Sequence, residues 1–415
     1  MSIEHEAQPL APERHPAIRR GLPLVLILGS LTALAPLTID LYLPALPLVS
    51  RDLQDSPATT QLTLTAFMAG LALGQLVIGP LSDVLGRRRP LLAGVIGYVL
   101  ASIACVVAPS TELLVGARLV QGLAGAAGVV IARAVVRDLY GGIAAARLLS
   151  SLMLVAGTAP VVAPVLGAQL LRLSSWRGIF LALTLLGLVI VVATAALLPE
   201  TLPPTRRQRG GLGTTLRTML GLLRDRTFTG YLLTGSLGFA ALFAYIAGSS
   251  FALQEVYGAS AQTYSLLFAL NSIGLVATGQ LTGKILIGRW PTRRIVAIGL
   301  VLLCAAAAVL LLLTIVHTGL PWVAVLLFVV ACPVGLVLPT TTALCLQRAP
   351  HAAGSASALL GTTQFLLGSF APALTGLGNQ STASPVAAAV LGLAVAATGC
   401  FLVLCRPFHP AEDLK

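Results

Sequence analysis

The sequence predicts an all-α integral membrane protein, with twelve transmembrane helices arranged as two six-helix bundles. Three observations predict it. Of 415 residues, 57% are hydrophobic and only 10% are charged, whereas soluble domains carry about 25% charged residues; the mean hydropathy is +0.93. The apolar residues gather into twelve runs, each near the roughly 20 residues a helix needs to cross a bilayer. The basic residues sit in the short gaps between those runs. Such a composition excludes a soluble enzyme, a secreted disulfide scaffold and a disordered chain. The long runs also argue against an outer-membrane barrel, whose strands alternate in units of about ten residues.

The elements follow in order. Residues 1–21 are polar and form an expected cytoplasmic tail. The apolar run after them is too long for the core of a cleavable signal peptide and is taken as the first span, 22–49. Spans two to six are expected at 57–84, 90–109, 112–138, 145–171 and 177–198, closing an N-terminal bundle over 22–198. Turn chemistry separates them, as at Asp55-Ser56-Pro57, Ala108-Pro109-Ser110 and Tyr140-Gly141-Gly142. The longest polar gap, 199–227, holds Pro199, Pro203, Pro204 and six arginines, and reads as a cytoplasmic linker. Spans seven to twelve are expected at 228–254, 262–288, 292–316, 320–346, 353–379 and 384–405. They make a C-terminal bundle over 228–405, with 406–415 as a second cytoplasmic tail.

Charge placement orients the chain. With the N-terminus in the cytoplasm, 22 basic residues fall on the cytoplasmic side, and three, Arg51, Arg172 and Arg177, on the outer side; Arg118 lies within a span. This is the positive-inside pattern, and it puts both termini in the cytoplasm. The net charge of +12 is therefore topology signalling rather than a phosphate-binding face. The lipid bilayer is an expected partner and nucleic acid is not. The six cysteines lie inside apolar runs without CxxC spacing, so they read as small buried hydrophobes. His317 and His351 form no metal-like grouping, and neither a metal nor an organic cofactor is expected.

The halves repeat. Gly74-Gln75-Leu76 precedes Gly79, Asp83, Gly86, Arg87 and Arg88, and Gly279-Gln280-Leu281 precedes Gly283, Gly288, Arg289, Arg293 and Arg294. The second copy lacks the acid. Parallel repeats of six spans are a transporter architecture with the substrate site between the halves. In the first copy, glycines permit close helix approach and a tight turn, while an acid followed by arginines can form ion pairs that break as the halves move.

The stretch Gly79-Pro80-Leu81-Ser82-Asp83-Val84-Leu85-Gly86-Arg87-Arg88-Arg89 resembles the loop signature of the major facilitator superfamily. Arg118-Leu119-Val120-Gln121-Gly122 in the fourth span resembles its R-x-x-Q-G motif. In the fifth span, Gly157, Pro160, Pro164 and Gly167 resemble its antiporter motif, with alanines at Ala163 and Ala168 where that motif has glycines. Small residues and prolines there allow a bendable, closely packed helix. Thr38-Ile39-Asp40-Leu41-Tyr42-Leu43-Pro44-Ala45-Leu46-Pro47, together with Arg133-Ala134-Val135-Val136-Arg137-Asp138-Leu139-Tyr140, is similar to the bicyclomycin/chloramphenicol resistance (Bcr/CflA) subfamily of drug:proton antiporters. The likeness is strongest over 30–200. It implies alternating access, the proton as coupling ion, a small-molecule drug as substrate, a bacterial cytoplasmic membrane and a fold for which a monomer suffices. It also links Arg118 to proton coupling. It implies a gating relay in which Arg87 bridges Asp138 while Asp83 faces the second bundle, stabilising an outward-open state.

Asp40 is the only acid deep in an expected span. A charge at mid-membrane costs roughly 2.5–3.5 kcal/mol on insertion scales, so such a residue is a functional candidate by default. Burial disfavours its charged form and a nearby cation favours it, and a group pulled both ways can bind and release a proton. Arg118 is the expected partner: both residues lie about 9 Å inside the outer ends of their spans. The second half has no intramembrane charge. Its polar and aromatic span residues Phe239, Phe243, Tyr245, Asn271, Gln364 and Phe365, with Tyr42 from the first span, are candidate walls of an apolar drug cavity with a few polar anchors. The spans hold no HExxH, no GxSxG and no histidine, so an enzyme is not expected. A metabolite or siderophore porter of the same fold is the alternative to drug export.

Overall fold

The computed structural model describes residues 21–207, 211–376 and 382–405. Most of the two expected tails, Arg209 of the linker and the end of the expected eleventh span lie outside these. Among the described residues the chain is helical, apart from an isolated bridge between Ile287 and Trp290.

The first span is broken. Helix α1 (Gly21–Asp40) passes through a short 3-10 turn, Leu43–Ala45, into α2 (Leu46–Asp52). Pro44 and Pro47 are the physical cause. Neither has an N–H to give to the carbonyl four residues back, so Asp40 and Leu43 lose their helical donors. The remaining spans of the first half are α3 (Pro57–Leu85), α4 (Arg88–Val106), α5 (Thr111–Leu139), α6 (Gly142–Leu173) and α7 (Arg177–Leu197). Serine caps set two starts: Ser56 Oγ accepts from the Thr59 N–H and Ser110 Oγ from that of Leu113. The expected linker contains a helix that its polar composition conceals, α8 (Gly211–Leu222), with Met219 buried and Leu216 and Leu220 exposed.

The second half comprises α9 (Arg226–Phe251), α10 (Ala261–Leu281), α11 (Thr292–Ile315), α12 (Leu320–Arg348), α13 (Ala353–Gly376) and α14 (Ser384–Cys405). Single π-helical turns prolong α9 to Val256 and α10 to Leu286. Eleven segments are long and apolar enough to cross a membrane. The 24-residue α13, diluted by Ser, Thr and Gln, completes twelve.

Within the halves, α3 packs on α5 and α9 on α14; between them, α3 packs on α13 and α6 on α10. In span numbers the second meets the eleventh and the fifth meets the eighth. Advancing each number by six exchanges the two pairs, as a two-fold axis between the repeats requires. The described ends, Gly21 and Cys405, share one face of the bundle, here the termini face; the opposite end is the far face. The α8 helix touches both α3 and α13.

Candidate functional site

Between the halves lies a cavity of about 320 Å³. Its first-half wall includes Pro36, Asp40, Arg133 and Pro160, and its second-half wall includes Phe239, Phe243, Tyr245, Asn271 and Phe365. The aromatics form one surface: the Phe239 ring centroid stands 4.7 Å from that of Phe243 and 5.3 Å from that of Phe365. Asn271 Nδ2 donates to Tyr245 Oη at 2.7 Å. Five of the seven candidate wall residues thus face the cavity. Gln364 does not line it. Tyr42 does not either: it is fully buried within the first half, its hydroxyl 3.2 Å from Thr63 Oγ1.

Asp40 lines the cavity at the last residue of α1 and is 4% exposed. It makes no hydrogen bond or ion pair with any described residue. The expected partnership with Arg118 is absent. Arg118 is fully buried among rings of three different segments, its Cζ 4.4 Å from the Phe67 centroid, 5.1 Å from Tyr42 and 5.7 Å from Phe180. Its Nη1 donates to Gln121 Oε1 at 2.7 Å and reaches the Thr38 carbonyl at 3.5 Å. Gln121 Nε2 in turn donates to Ser102 Oγ. Equal depth was the sound part of the sequence argument. The side of the helix was not: Asp40 looks out between the halves, while Arg118 looks into the first half, where three π faces replace a carboxylate.

The far face is closed by contacts between the halves. Ser250 Oγ donates to the Leu43 carbonyl at 2.6 Å, the acceptor left over by Pro47. Gln254 Nε2 donates to the Pro44 carbonyl at 3.3 Å. Thr375 Oγ1 donates to Gln61 Oε1, Gln262 Nε2 to the Ala168 carbonyl, and Arg51 Nη2 to both Glu255 oxygens. The Pro44–Pro47 pair in the sequence was the signal for this seal, since backbone carbonyls inside a membrane must find donors.

At the termini face, Gly86 holds φ +93°, a left-handed conformation suited to glycine, and turns the chain between α3 and α4. Arg87 Nη1 donates to Asp83 Oδ1 at 2.5 Å and to Ser82 Oγ at 2.8 Å; its Nε donates to Asp138 Oδ2 at 2.9 Å. Arg87 therefore joins α3 to α5. Asp83 turns to Arg87 within its own half rather than toward the second bundle, where the sequence reading had placed it. Arg88 Nη2 donates to the Ala195 carbonyl at 2.7 Å. Gly79 is spaced loosely, its nearest neighbour Val130. Glu200 escaped the sequence reading. Its carboxylate accepts from the backbone N–H groups of Arg87 and Arg88 and caps the start of α4 from just beyond the end of α7, which packs on α4. Burial opposes its charge, but those bonds and the N–H groups of Thr201 and Leu202 hold it below the usual carboxylate range.

In α6, Pro160 lines the cavity, and Gly157 sits near Val276 of α10. Gly167 lies so close to the Leu41 carbonyl that a Cβ would strike it. Pro160 and Pro164 interrupt the hydrogen-bond ladder of a helix that packs on both α1 and α10. A wall that spans the two halves and can flex fits a moving part.

Residues 28–372 match the Major Facilitator Superfamily. The chain belongs to that family. It is 38% identical, over 94% of its length and 98% of the relative's, to the uncharacterized MFS-type transporter YdgK of Bacillus subtilis (strain 168). It is 32% identical to the chloramphenicol resistance protein of Pseudomonas aeruginosa, over 90% of this chain and 89% of that one. With the bicyclomycin resistance protein homolog of Haemophilus influenzae it shares 29% identity, over 87% and 91%. The last two of these relatives carry resistance names of the kind that the first-span and Arg133–Tyr140 motifs suggested. Among solved structures, the xylose transporter XylE from E. coli, in a partially occluded inward-open conformation, superposes with a TM-score of 0.72, at 12% identity, over 95% of this chain and 98% of that one. That likeness speaks to the fold. The chain is a multi-pass membrane transporter of the Major Facilitator Superfamily with antibiotic-resistance proteins among its relatives.

Proposed function

We propose that the chain exports small, largely apolar drugs from the bacterial cytoplasm in exchange for protons, by alternating access. One observation carries the reading: in a chain of this family, an unpartnered carboxyl, Asp40, lines the cavity between the two halves. A carboxyl there has no counter-charge among the described residues, so its protonation can follow the opening of the cavity to one side or the other.

The positive-inside pattern supports a termini face in the cytoplasm, and the bacterial relatives support a place in the cytoplasmic membrane. On this reading the contacts at the far face are the closed outer gate of an inward-facing state. Drug enters from the cytoplasm and lies against the aromatic wall. The halves rock, the Ser250–Leu43, Thr375–Gln61 and Arg51–Glu255 contacts part, and drug leaves outside. Protonation of Asp40 favours the return. In this cycle the Arg87–Asp83–Asp138 cluster acts at the opposite face: it holds α3 and α5 together, and Asp83 is released toward the second bundle when the inner side closes. Coupling is reciprocal, so drug and proton each weaken the other's binding. The working unit is a monomer with no cofactor beyond the proton, and with no reacting constellation for an enzyme.

The test is resistance profiling of a pump-deficient bacterial host across amphenicols, bicyclic peptides, sulfonamides and cationic dyes. It is paired with inside-out vesicles in which the proton gradient is imposed in either direction. Resistance to at least one class, with uptake into vesicles that collapses when the gradient is dissipated, is the expected result. Uptake indifferent to the gradient would overturn proton coupling, and flux in the opposite direction would favour the metabolite-porter reading.

A further inference from the structure

The cavity wall carries a cation that this cycle leaves idle. Arg133 of α5 lines the cavity, half-buried, and makes no hydrogen bond or ion pair with any described residue. Among the described residues, Asp40 and Arg133 are the only charged ones on that wall, and they do not neutralise each other. The α1 and α5 helices run antiparallel and cross where Gly128 meets the Leu31 carbonyl. Counted from that crossing at about 1.5 Å per residue, Asp40 lies toward the far face and Arg133 toward the termini face, roughly 20 Å apart. Between them the wall is mainly apolar, and its Tyr245–Asn271 pair is already hydrogen-bonded. One helical turn beyond Arg133, Arg137 reaches to 4.0 Å from the Cβ position of Gly354 in the second half, so the same end of the cavity is basic on the α5 side.

A guanidinium without a partner in a membrane-embedded cavity is costly. Its planar fork matches a carboxylate or a phosphate through two parallel hydrogen bonds, and a single unpaired cation on a largely apolar wall favours the singly charged carboxylate. We propose that Arg133 is a carboxylate anchor, and that the cavity takes small apolar molecules bearing one carboxylate. The carboxylate is held toward the termini face while the apolar body lies on Phe239, Phe243 and Phe365. Specificity then divides between two sites. Arg133 selects the charge of the cargo and the aromatic wall tolerates its shape, leaving Asp40 for the coupling ion. This deepens the export reading and rests on it for the cavity being the transport path.

The test uses purified full-length protein in detergent and three probes of one shape: 1-naphthoate, its methyl ester, and 1-naphthylmethylammonium. Naphthoate is expected to bind about tenfold or more tightly than either of the others. Arg133→Gln is expected to bring naphthoate down to the level of the ester and leave ester binding unchanged, which also shows the cavity intact. Arg133→Lys keeps the charge but loses the fork, and is expected to fall between the two. Equal binding of the three probes, no binding of any up to its solubility, or an anion preference that survives Arg133→Gln would overturn the proposal. If Arg133→Gln yields no folded protein, the lysine variant decides: naphthoate affinity equal to wild type overturns the anchor. Anion preference without any resistance in the pump-deficient host would sink export and leave the site standing. Resistance without anion preference would do the reverse.

Discussion

The Arg118 guanidinium stands 4.4 Å over the ring of Phe67, and this contact, together with the Tyr42 and Phe180 rings, gives a buried cation a home without an acid. Its Nε and Nη2 have no hydrogen-bond partner among the described residues, so the π faces carry much of the stabilisation, each worth roughly 0.5–2 kcal/mol. Arg118→Lys keeps the charge but loses the flat stack and the Nη1 bond to Gln121. It is expected to destabilise the protein by about 1–3 kcal/mol, read as a lower thermal midpoint in detergent. A midpoint equal to wild type would show that the rings merely surround the arginine.

Asp40→Asn keeps the shape of the side chain and removes its titration. Proton-driven uptake into inside-out vesicles is expected to drop to background, while the protein still inserts and binds drug with the weaker affinity of the protonated form, no longer dependent on pH. Full resistance in cells carrying this variant would remove Asp40 from the mechanism.

Arg87 is buried between two acids, with its side chain 8% exposed. Removing one partner from such a cluster costs about 3–5 kcal/mol. Arg87→Ala is therefore expected to slow transport by roughly tenfold or more while drug affinity moves much less, because the cluster lies at the termini face and not on the cavity wall. A loss confined to affinity, with the maximal rate intact, would count against a gating role.

Glu200 gives a pH dependence with a definite sign. Its folded pKa lies below the ordinary carboxylate value. Its contribution to stability is therefore complete above the unfolded value, about 4.3, and fades as the pH falls through the lower folded one. The thermal midpoint is expected to decline below about pH 4.5, and Glu200→Gln is expected to flatten that decline. At neutral pH the same variant removes a helix cap worth about 1 kcal/mol. An unchanged acid limb in the variant would place the sensitivity elsewhere.

Ser250→Ala strips the donor from the Leu43 carbonyl, whose helical partner Pro47 cannot supply one. The closed far face is expected to weaken by about 1–3 kcal/mol. A thiol-reactive probe added from outside would then label a cysteine placed at Ala58, near Gly376 at the closed end, several-fold faster than in the otherwise wild-type background. Equal labelling would show that the seal does not depend on this bond.

Much of the fold was legible because bilayer thickness imposes a length on every apolar run, and because glycine, proline and arginine mark the turns. The α8 helix was hidden because arginines and glycines dominate the linker, while its buried contact, Met219, is a single residue. The depth of Arg118 could be counted along a helix, but its facing could not: which side of α5 points into the first half depends on Phe67, Tyr42 and Phe180, which come from distant segments. Arg133 was legible as a charge near a span end and was credited to topology. Only the lateral packing of the halves put it on a cavity wall. Phe239 and Phe243 stand four residues apart and so share one helix face, but only the packing of α13 on α9 brings Phe365 to them. Tyr42 lies just past Asp40, where the broken helix turns its side chain inward.

Because the proline-broken backbone just past Asp40 is clamped by the opposite half, that carboxyl stands at the sealed end of the cavity, with Arg133 toward the other end. On the proposed cycle, cargo seated on the arginine side lies between the acid and the cytoplasm. Position along one passage then sets an order of events: the cargo leaves first, and only afterwards can the acid trade its proton with that compartment.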